Sequence, residues 1–317
     1  MAVAAGAVAV VGMASIAGAP AAWVLALRIL VAGSSSSRVA SPLMGEAVIG
    51  SIHEELQDRA NTLINSGISI GVALSGPAAL LVAEQWRLAW AAFALVGGVV
   101  VAWNAVVMPR KPVSDRRSEE ATPADVPRLS VRYLIGPGAV PLFVAATGVG
   151  FASAAYWTFS RDLVVRSGDL SVTGSTLFWT VIGVFGLAGG LAGDLVRRFG
   201  LATAFRASLV CMAVATGMLA AAPGALLWAY LSAGLFGSTY IMLTGVILVW
   251  SVSIIHERPS AGLGAAFLLI AVGQFFGAPI AGRLAGAAGL GLTFWTFAGM
   301  AVLTALIGPR AERPLAA

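Results

Sequence analysis

The chain has 317 residues, of which 59% are hydrophobic and only 10% are charged, and its formal net charge is +5. Soluble globular domains carry about 25% charged residues, so this composition excludes an ordinary soluble domain. The basic residues are scattered among short segments between apolar runs, which is the distribution of a membrane protein and not of a nucleic-acid-binding surface.

The apolar runs predict an all-α polytopic membrane protein. Most are close to 20 residues long, which matches the thickness of the bilayer core. The alternating pattern of a β-barrel is absent, so the spans are predicted to be helices. Ten spans are predicted, four before and six after one long hydrophilic segment: 3–17, 23–52, 63–82, 88–108, 138–159, 174–192, 202–222, 226–255, 263–284 and 292–307.

The hydrophilic segment divides the chain into predicted domains. Residues 1–108 form an incomplete N-terminal bundle of four spans, 109–132 a flexible cytoplasmic linker, 133–308 a C-terminal bundle of six spans and 309–317 a tail. With the linker inside, thirteen lysine and arginine residues fall on that side of the membrane and three on the other. This bias predicts that both termini are cytoplasmic. Lysine occurs once against many arginines, which indicates a GC-rich bacterial genome and therefore a plasma membrane.

The second predicted span is unusually polar and supplies candidate substrate and coupling residues. A charge at the bilayer centre costs about 2.5–3.5 kcal/mol on insertion scales, so Arg38 is expected to face a cavity. Glu46 follows eight residues later and is a candidate to titrate during coupling. The alternative is that Arg38 and Glu46 pair with other helices and are structural. Arg28 lies nearer the outer end, where it either snorkels or contacts substrate.

Further polar and aromatic residues lie in the C-terminal spans. Gln274 is expected to hydrogen-bond between helices or to contact substrate. Arg161 and Asp162 are expected to form a hydrated helix end near the outer surface. Five aromatic residues fit either a cavity wall or ordinary packing: Tyr156, Trp157, Trp179, Tyr240 and Trp250.

A run of small residues at 189–193 precedes Asp194, Arg197, Arg198 and Gly200. It lies between two apolar runs and predicts a tight polar turn. Small residues let backbones approach closely, and Asp194 is suited to cap a helix start. The arginines are expected to stay in water on the cytoplasmic side.

This turn resembles the signature loop of the major facilitator superfamily, a glycine, aspartate and arginine turn between the second and third helices of each half. The matching residues are Gly190, Gly193, Asp194, Arg197, Arg198 and Gly200. A helix-kink motif, Gly71, Gly76 and Pro77, resembles the glycine–proline motif of the family's fifth helix. The segment 156–159 and the glycine-rich spans are similar to bacterial permeases of unassigned substrate, including the cyanate-permease-like group.

The resemblance implies a two-bundle fold and transport by alternating access, with proton coupling an option. The signature loop is then expected to act as a gate between the bundles, and the helix-kink motif to allow a close helix contact that moves with them.

Two short matches indicate an internal repeat. The Ile-His-Glu sequence at 52–54 recurs at 255–257, and the glycine and proline at 71 and 77 recur at 273 and 279. At this offset, the partner of the signature loop would precede residue 1. We therefore expect that the chain lacks the first two helices of a six-plus-six transporter.

Two functions of different kinds follow. The first is a secondary active transporter of a small solute, and the alternative is a truncated, non-transporting or regulatory protein that keeps the fold. An enzyme is not expected, because no catalytic group of residues is found at mid-span. No cofactor, metal site or nucleic-acid partner is expected; the predicted partners are a small-molecule substrate, protons and the lipid bilayer, with the protein a monomer.

Overall fold

The structure is a computed structural model that describes residues 2–21, 23–25, 27–29, 32, 54–82, 85–107, 138–255 and 259–309. Nine α-helices of eight or more residues and one 3₁₀ segment occupy these ranges, and no β-strand occurs within them. The elements are α1 (Ala2–Ala17), α2 (Glu54–Leu81), α3 (Trp86–Val107), α4 (Ala139–Arg166), α5 (Val172–Gly186), the 3₁₀ segment (Leu187–Leu191), α6 (Ala192–Phe199), α7 (Leu201–Ala221), α8 (Leu226–Ile254) and α9 (Pro259–Ala305).

Six stretches of the described residues are long and apolar enough to cross a membrane. They are Trp86–Val107, Ala139–Arg166, Val172–Phe199, Leu201–Ala221, Leu226–Ile254 and Gly262–Ala305. The prediction of an all-helical, multi-pass protein is therefore confirmed, while the arrangement of four plus six spans stays a prediction.

Two predicted boundaries are wrong. Helix α2 begins at Glu54, so the predicted polar loop at 53–61 is helical from that residue. Helix α4 continues to Arg166, seven residues beyond its predicted end at 159. The apolar pattern ends before either helix does, because a helix can project past the hydrocarbon core into water. An ion pair between Asp162 and Arg166, with 3.1 Å between carboxylate and guanidinium atoms, supports the last turn of α4.

The last two predicted spans are joined without a loop. Helix α9 runs across both of them, and its helical geometry is interrupted at Gly289, where φ is 86° and ψ is 162°. This conformation is readily adopted by glycine, which has no Cβ to clash. A single residue therefore replaces the predicted segment between residues 284 and 292.

The chain divides into two compact units. The first comprises Met1–Asn61, Ala78–Leu134 and Arg258–Gly264, and the second Thr62–Pro77, Ile135–Glu257 and Ala265–Ala317. The middle of α2 thus packs with the second unit, whereas the two ends of α2 belong to the first. The predicted domain limits at 108 and 133 are not tested by this division.

The core of the second unit is built around Tyr156 of α4, which is fully buried. Its ring stacks on Phe236 of α8, with 3.7 Å between ring centroids and 7° between planes. The Tyr156 hydroxyl lies 2.8 Å from the Ser232 hydroxyl, which donates to the Ala215 carbonyl at 2.7 Å. This chain of hydrogen bonds joins α4, α8 and α7, so polar groups away from water are satisfied between helices.

Glycines bring the helices of this unit into backbone contact. A Cβ added at Gly237 of α8 would lie 2.0 Å from the Ile182 carbonyl oxygen of α5. One added at Gly150 of α4 would lie 1.9 Å from the Ile270 carbonyl oxygen of α9. Because no side chain fits at either position, these crossings are closer than a helix pair with larger residues allows.

Candidate functional site

An aromatic cluster forms where three helices of the second unit meet. Its centre is Trp157 of α4, which meets three rings edge to face. The ring centroids of Trp179, Phe236 and Tyr240 lie 5.6, 5.4 and 5.1 Å from it. Edge-to-face contacts of this kind fix ring orientation as well as position. Trp157, Trp179 and Tyr240 are only partly buried, so these rings retain accessible surface.

An amide from a fourth helix completes the cluster. Gln274 of α9 donates to the Tyr240 hydroxyl at 3.0 Å and approaches the Ser153 hydroxyl of α4 at 3.5 Å. The predicted interhelical hydrogen bond of Gln274 is therefore present, and its contact with substrate stays a prediction. Both interactions use the amide nitrogen, which leaves the amide oxygen without a partner among the described residues.

The Trp179 indole extends the cluster to α2. Its N–H donates to the Ser75 hydroxyl at 3.0 Å, and Ser75 donates to the Val72 carbonyl within α2 at 2.8 Å. Gly76, the next residue, allows this approach, because a Cβ there would lie 2.8 Å from the Thr180 hydroxyl oxygen. A residue larger than glycine at this position would push α2 away from α5.

The cluster can bind a solute through rings and hydrogen bonds. None of its members, Ser75, Ser153, Trp157, Trp179, Phe236, Tyr240 and Gln274, carries a charge. Tyr240 accepts from Gln274, so its own O–H remains able to donate. The Trp157 N–H is buried beside the Tyr240 hydroxyl, although the two do not meet the geometry of a full hydrogen bond.

One cation lies next to the cluster. Arg161 is four residues after Trp157 on α4, and its Nε donates at 3.1 Å to the hydroxyl of Ser175 on α5. Ser175 is fully buried and donates in turn to the Val172 carbonyl at 2.8 Å. Arg161 is exposed, bonds α5 and lies five residues before the end of α4, so it is not at the helix end, while its predicted hydration stays a prediction.

The signature segment differs from the predicted turn. The chain continues from α5 through the 3₁₀ segment, which contains Gly190, into α6, which contains Gly193, and it leaves the helix only at Gly200. The prediction that Asp194 caps a helix is wrong, because the N-cap position is occupied by Leu191 without a side-chain hydrogen bond. The chain therefore stays helical beyond residue 192, where the span was predicted to end.

The charged side chains of α6 face outward. Asp194 forms an exposed ion pair with Arg197, three residues later. The Arg198 guanidinium lies over the Phe199 ring, 5.4 Å from its centroid. Their predicted role as a gate between bundles is not tested by these contacts.

Of the two glycines in the helix-kink motif, one makes a close helix contact. Gly76 packs against α5 as described, whereas a Cβ added at Gly71 would meet no atom within 4 Å. Pro77 lies inside α2, which is helical on both sides of it. The related positions in the proposed repeat are packed differently, because a Cβ at Gly273 would lie 2.1 Å from the Thr147 carbonyl oxygen.

The candidates of the second predicted span have separate outcomes. Arg28 donates to the Ser15 carbonyl at the end of α1, and Arg87 of α3 donates to the nearby Ala19 carbonyl at 2.9 Å. Arg28 therefore satisfies a helix C-terminus, a structural role that its sequence position does not show. Arg38 and Glu46 lie outside the described residues, and their roles stay predictions.

Ser75, Ser153 and Ser175 were not among the site residues predicted from the sequence. The available signal was spacing on α4, where Ser153, Trp157 and Arg161 recur every four residues. Residues four apart share one helix face, so this pattern indicated a polar and aromatic face within an apolar span.

The six long apolar stretches of the described residues define a multi-pass helical membrane protein. The family model of the Major Facilitator Superfamily matches residues 1–275, and the chain belongs to this superfamily. Membership makes the protein a membrane transporter and not an enzyme. A comparison with curated proteins gives no significant match.

Proposed function

We propose that the protein is a secondary active transporter that moves a small solute across a bacterial plasma membrane by alternating access, as a monomer with cytoplasmic termini. The observation that carries the proposal is the convergence of α4, α5, α8 and α9 on Trp157, Tyr240 and Gln274 in apolar spans. Groups between membrane helices that can still form hydrogen bonds are suited to binding a transported solute. Because such contacts are few, they bind the solute and still allow it to dissociate.

The solute contacts are proposed to lie on the face formed by Trp157, Tyr240 and Gln274. Uptake by purified protein in proteoliposomes, screened with a radiolabelled panel of small solutes, tests this. Gln274→Leu is expected to abolish the uptake that the native protein shows. Thr296→Val on the same helix is the matched control, since Thr296 is exposed and its one hydrogen bond to the described residues is to the Leu292 carbonyl of its own turn. Equal uptake by Gln274→Leu and the native protein would contradict this placement.

Proton coupling is proposed to reside in the second predicted span and not in the cluster, whose members have no carboxylate. Glu46 is the candidate, with Arg38 as a substrate or coupling partner. Uptake with and without an imposed pH gradient measures coupling. We expect Glu46→Gln to remove the acceleration by the gradient while solute exchange at equal pH continues. Acceleration that survives in Glu46→Gln would rule out this residue as the coupling site.

The outward-facing charges of α6 are proposed to form part of a gate. Asp194→Asn removes the ion pair with Arg197, and surface pairs of this kind contribute little to stability. We therefore expect a changed uptake rate with an unchanged unfolding temperature. Unchanged uptake kinetics in Asp194→Asn would assign these charges to membrane orientation alone.

A further inference from the structure

We propose that the solute is an organic anion with a planar body, whose carboxylate binds the Arg161 guanidinium while the body lies on the Trp157, Trp179 and Tyr240 rings. The inference rests on the proposed transport function and adds the substrate class. It follows from three features: the alignment of residues on α4, the geometry of the guanidinium, and the unused hydrogen-bonding groups at the other end of the cluster.

The first feature is a continuous face on α4. Ser153, Trp157 and Arg161 are each four residues apart, so they lie above one another along the helix. From Ser153 to Arg161 the face extends about 12 Å along the helix axis. The partners on other helices follow the same order: Gln274 meets Ser153, Trp179 meets Trp157, and a serine on α5 meets Arg161. The face therefore changes from amide to aromatic to cationic along its length.

The second feature is how the guanidinium is held. Its Nε donates to the buried Ser175, and its two terminal nitrogens have no partner among the described residues. The adjacent carboxylate does not neutralise it, since Asp162 pairs with Arg166 at 3.1 Å. Two terminal N–H groups side by side match the two oxygens of a carboxylate. Because Ser175 already holds the guanidinium, less conformational entropy is lost when a ligand binds.

The third feature is the amide end of the face. The Gln274 amide oxygen and the Tyr240 O–H are left to accept and to donate one hydrogen bond each. A hydroxyl at the far end of the ligand from its carboxylate satisfies either group. The ring edges and faces between the two ends favour a planar, unsaturated body over a branched aliphatic one.

The test is calorimetric titration of the purified full-length protein in phosphatidylcholine nanodiscs. The probes are benzoate, 4-hydroxybenzoate and 4-hydroxycinnamate, each compared with its neutral amide. We expect the carboxylates to bind and the amides to bind at least tenfold more weakly. Arg161→Gln should weaken carboxylate binding about 10- to 100-fold, because a charge-assisted hydrogen bond is lost. Arg161→Lys, which keeps the charge but not the fork, should fall between the two.

The matched control is Arg283→Gln on α9, an exposed arginine of the same unit that is not a member of the cluster. It removes the same charge without releasing the Asp162 carboxylate from its pair with Arg166, and it should leave probe affinity unchanged. Equal weakening by Arg283→Gln and Arg161→Gln would mean that general electrostatics, and not this site, attracts the probe, which overturns the assignment.

The remaining outcomes separate this inference from the function on which it rests. Amides that bind as tightly as carboxylates, or no carboxylate binding at all, overturn the anionic class while leaving transport of a neutral solute in place. Carboxylate binding that is lost in Arg161→Gln, together with no exchange in proteoliposomes, supports the site and contradicts the transport function. If phosphatidylglycerol in the nanodiscs abolishes probe binding, the guanidinium binds a lipid headgroup and the proposal is overturned.

Discussion

The contact between α5 and α8 makes a quantitative prediction for Gly237→Ala. The added methyl would lie 2.0 Å from the Ile182 carbonyl oxygen, and real Cβ contacts shorter than 3.0 Å are essentially never seen. The helices must therefore separate by about 1 Å, and overpacking of this kind costs about 1–3 kcal/mol. The better helix propensity of alanine returns up to about 1 kcal/mol. The expected net loss in the free energy of unfolding is about 0–2 kcal/mol against the native protein, and about 1–3 kcal/mol against an alanine substitution at a helical glycine in open space.

Two further glycines provide the controls. Gly299→Ala on α9 would place its methyl in open space, so it should be neutral or slightly stabilising. Gly234→Ala on α8 meets the Phe185 ring at 3.1 Å, and that ring is 55% exposed and can rotate away, so its cost should be intermediate. Detergent-induced unfolding followed by tryptophan fluorescence gives the three stabilities. A Gly237→Ala protein as stable as Gly299→Ala would refute the backbone contact.

Three further experiments test the hydrogen bonds of the second unit. Ser232→Ala should lower the free energy of unfolding by about 1–3 kcal/mol, because the buried Tyr156 hydroxyl loses its hydrogen-bond partner. Adding Tyr156→Phe should recover most of that loss. If nothing is recovered, the loss comes from packing and not from the hydrogen bond. A double-mutant cycle of unfolding free energies with Trp179→Phe and Ser75→Ala should give a coupling energy of about 0.6 kcal/mol, and at most about 1.7 kcal/mol. Additive effects of the two substitutions would mean that the hydrogen bond contributes nothing to stability. Gln274→Leu should reduce the free energy of unfolding by no more than about 1.7 kcal/mol, and a larger loss by the same unfolding assay would make its role chiefly structural.

The sequence predicts the helices well where hydrophobic length alone decides. Spans α3, α7 and α8 differ from their predicted limits by one or two residues, because each ends where the apolar run ends. The limits of α2 and α4 were missed by more. Their ends are polar helical turns, and neither a transfer scale nor a span length distinguishes such a turn from a loop.

The candidate site was predictable only in part. Gln274 is a polar residue in an apolar span, so its sequence position alone identifies it. The aromatic cluster joins Trp157 with Trp179 and Tyr240, residues 22 and 83 positions away in the chain. Their meeting depends on how helices pack, which composition and periodicity do not specify. Arg161 was assigned to a helix end for the same reason, since its serine partner lies on another helix.

The position of α2 has a consequence for dividing the protein into parts. Residues Thr62–Pro77 precede the predicted linker in sequence but pack in the unit that contains α4 to α8. On α5, Gly183 and Gly186 then form a groove filled by Ala73 and Ser69 of α2. A fragment that starts after the linker would leave that groove without its native helix. Complementation by a co-expressed N-terminal fragment is therefore the natural design for a split transporter, with cleavage in the linker and α2 supplied in trans.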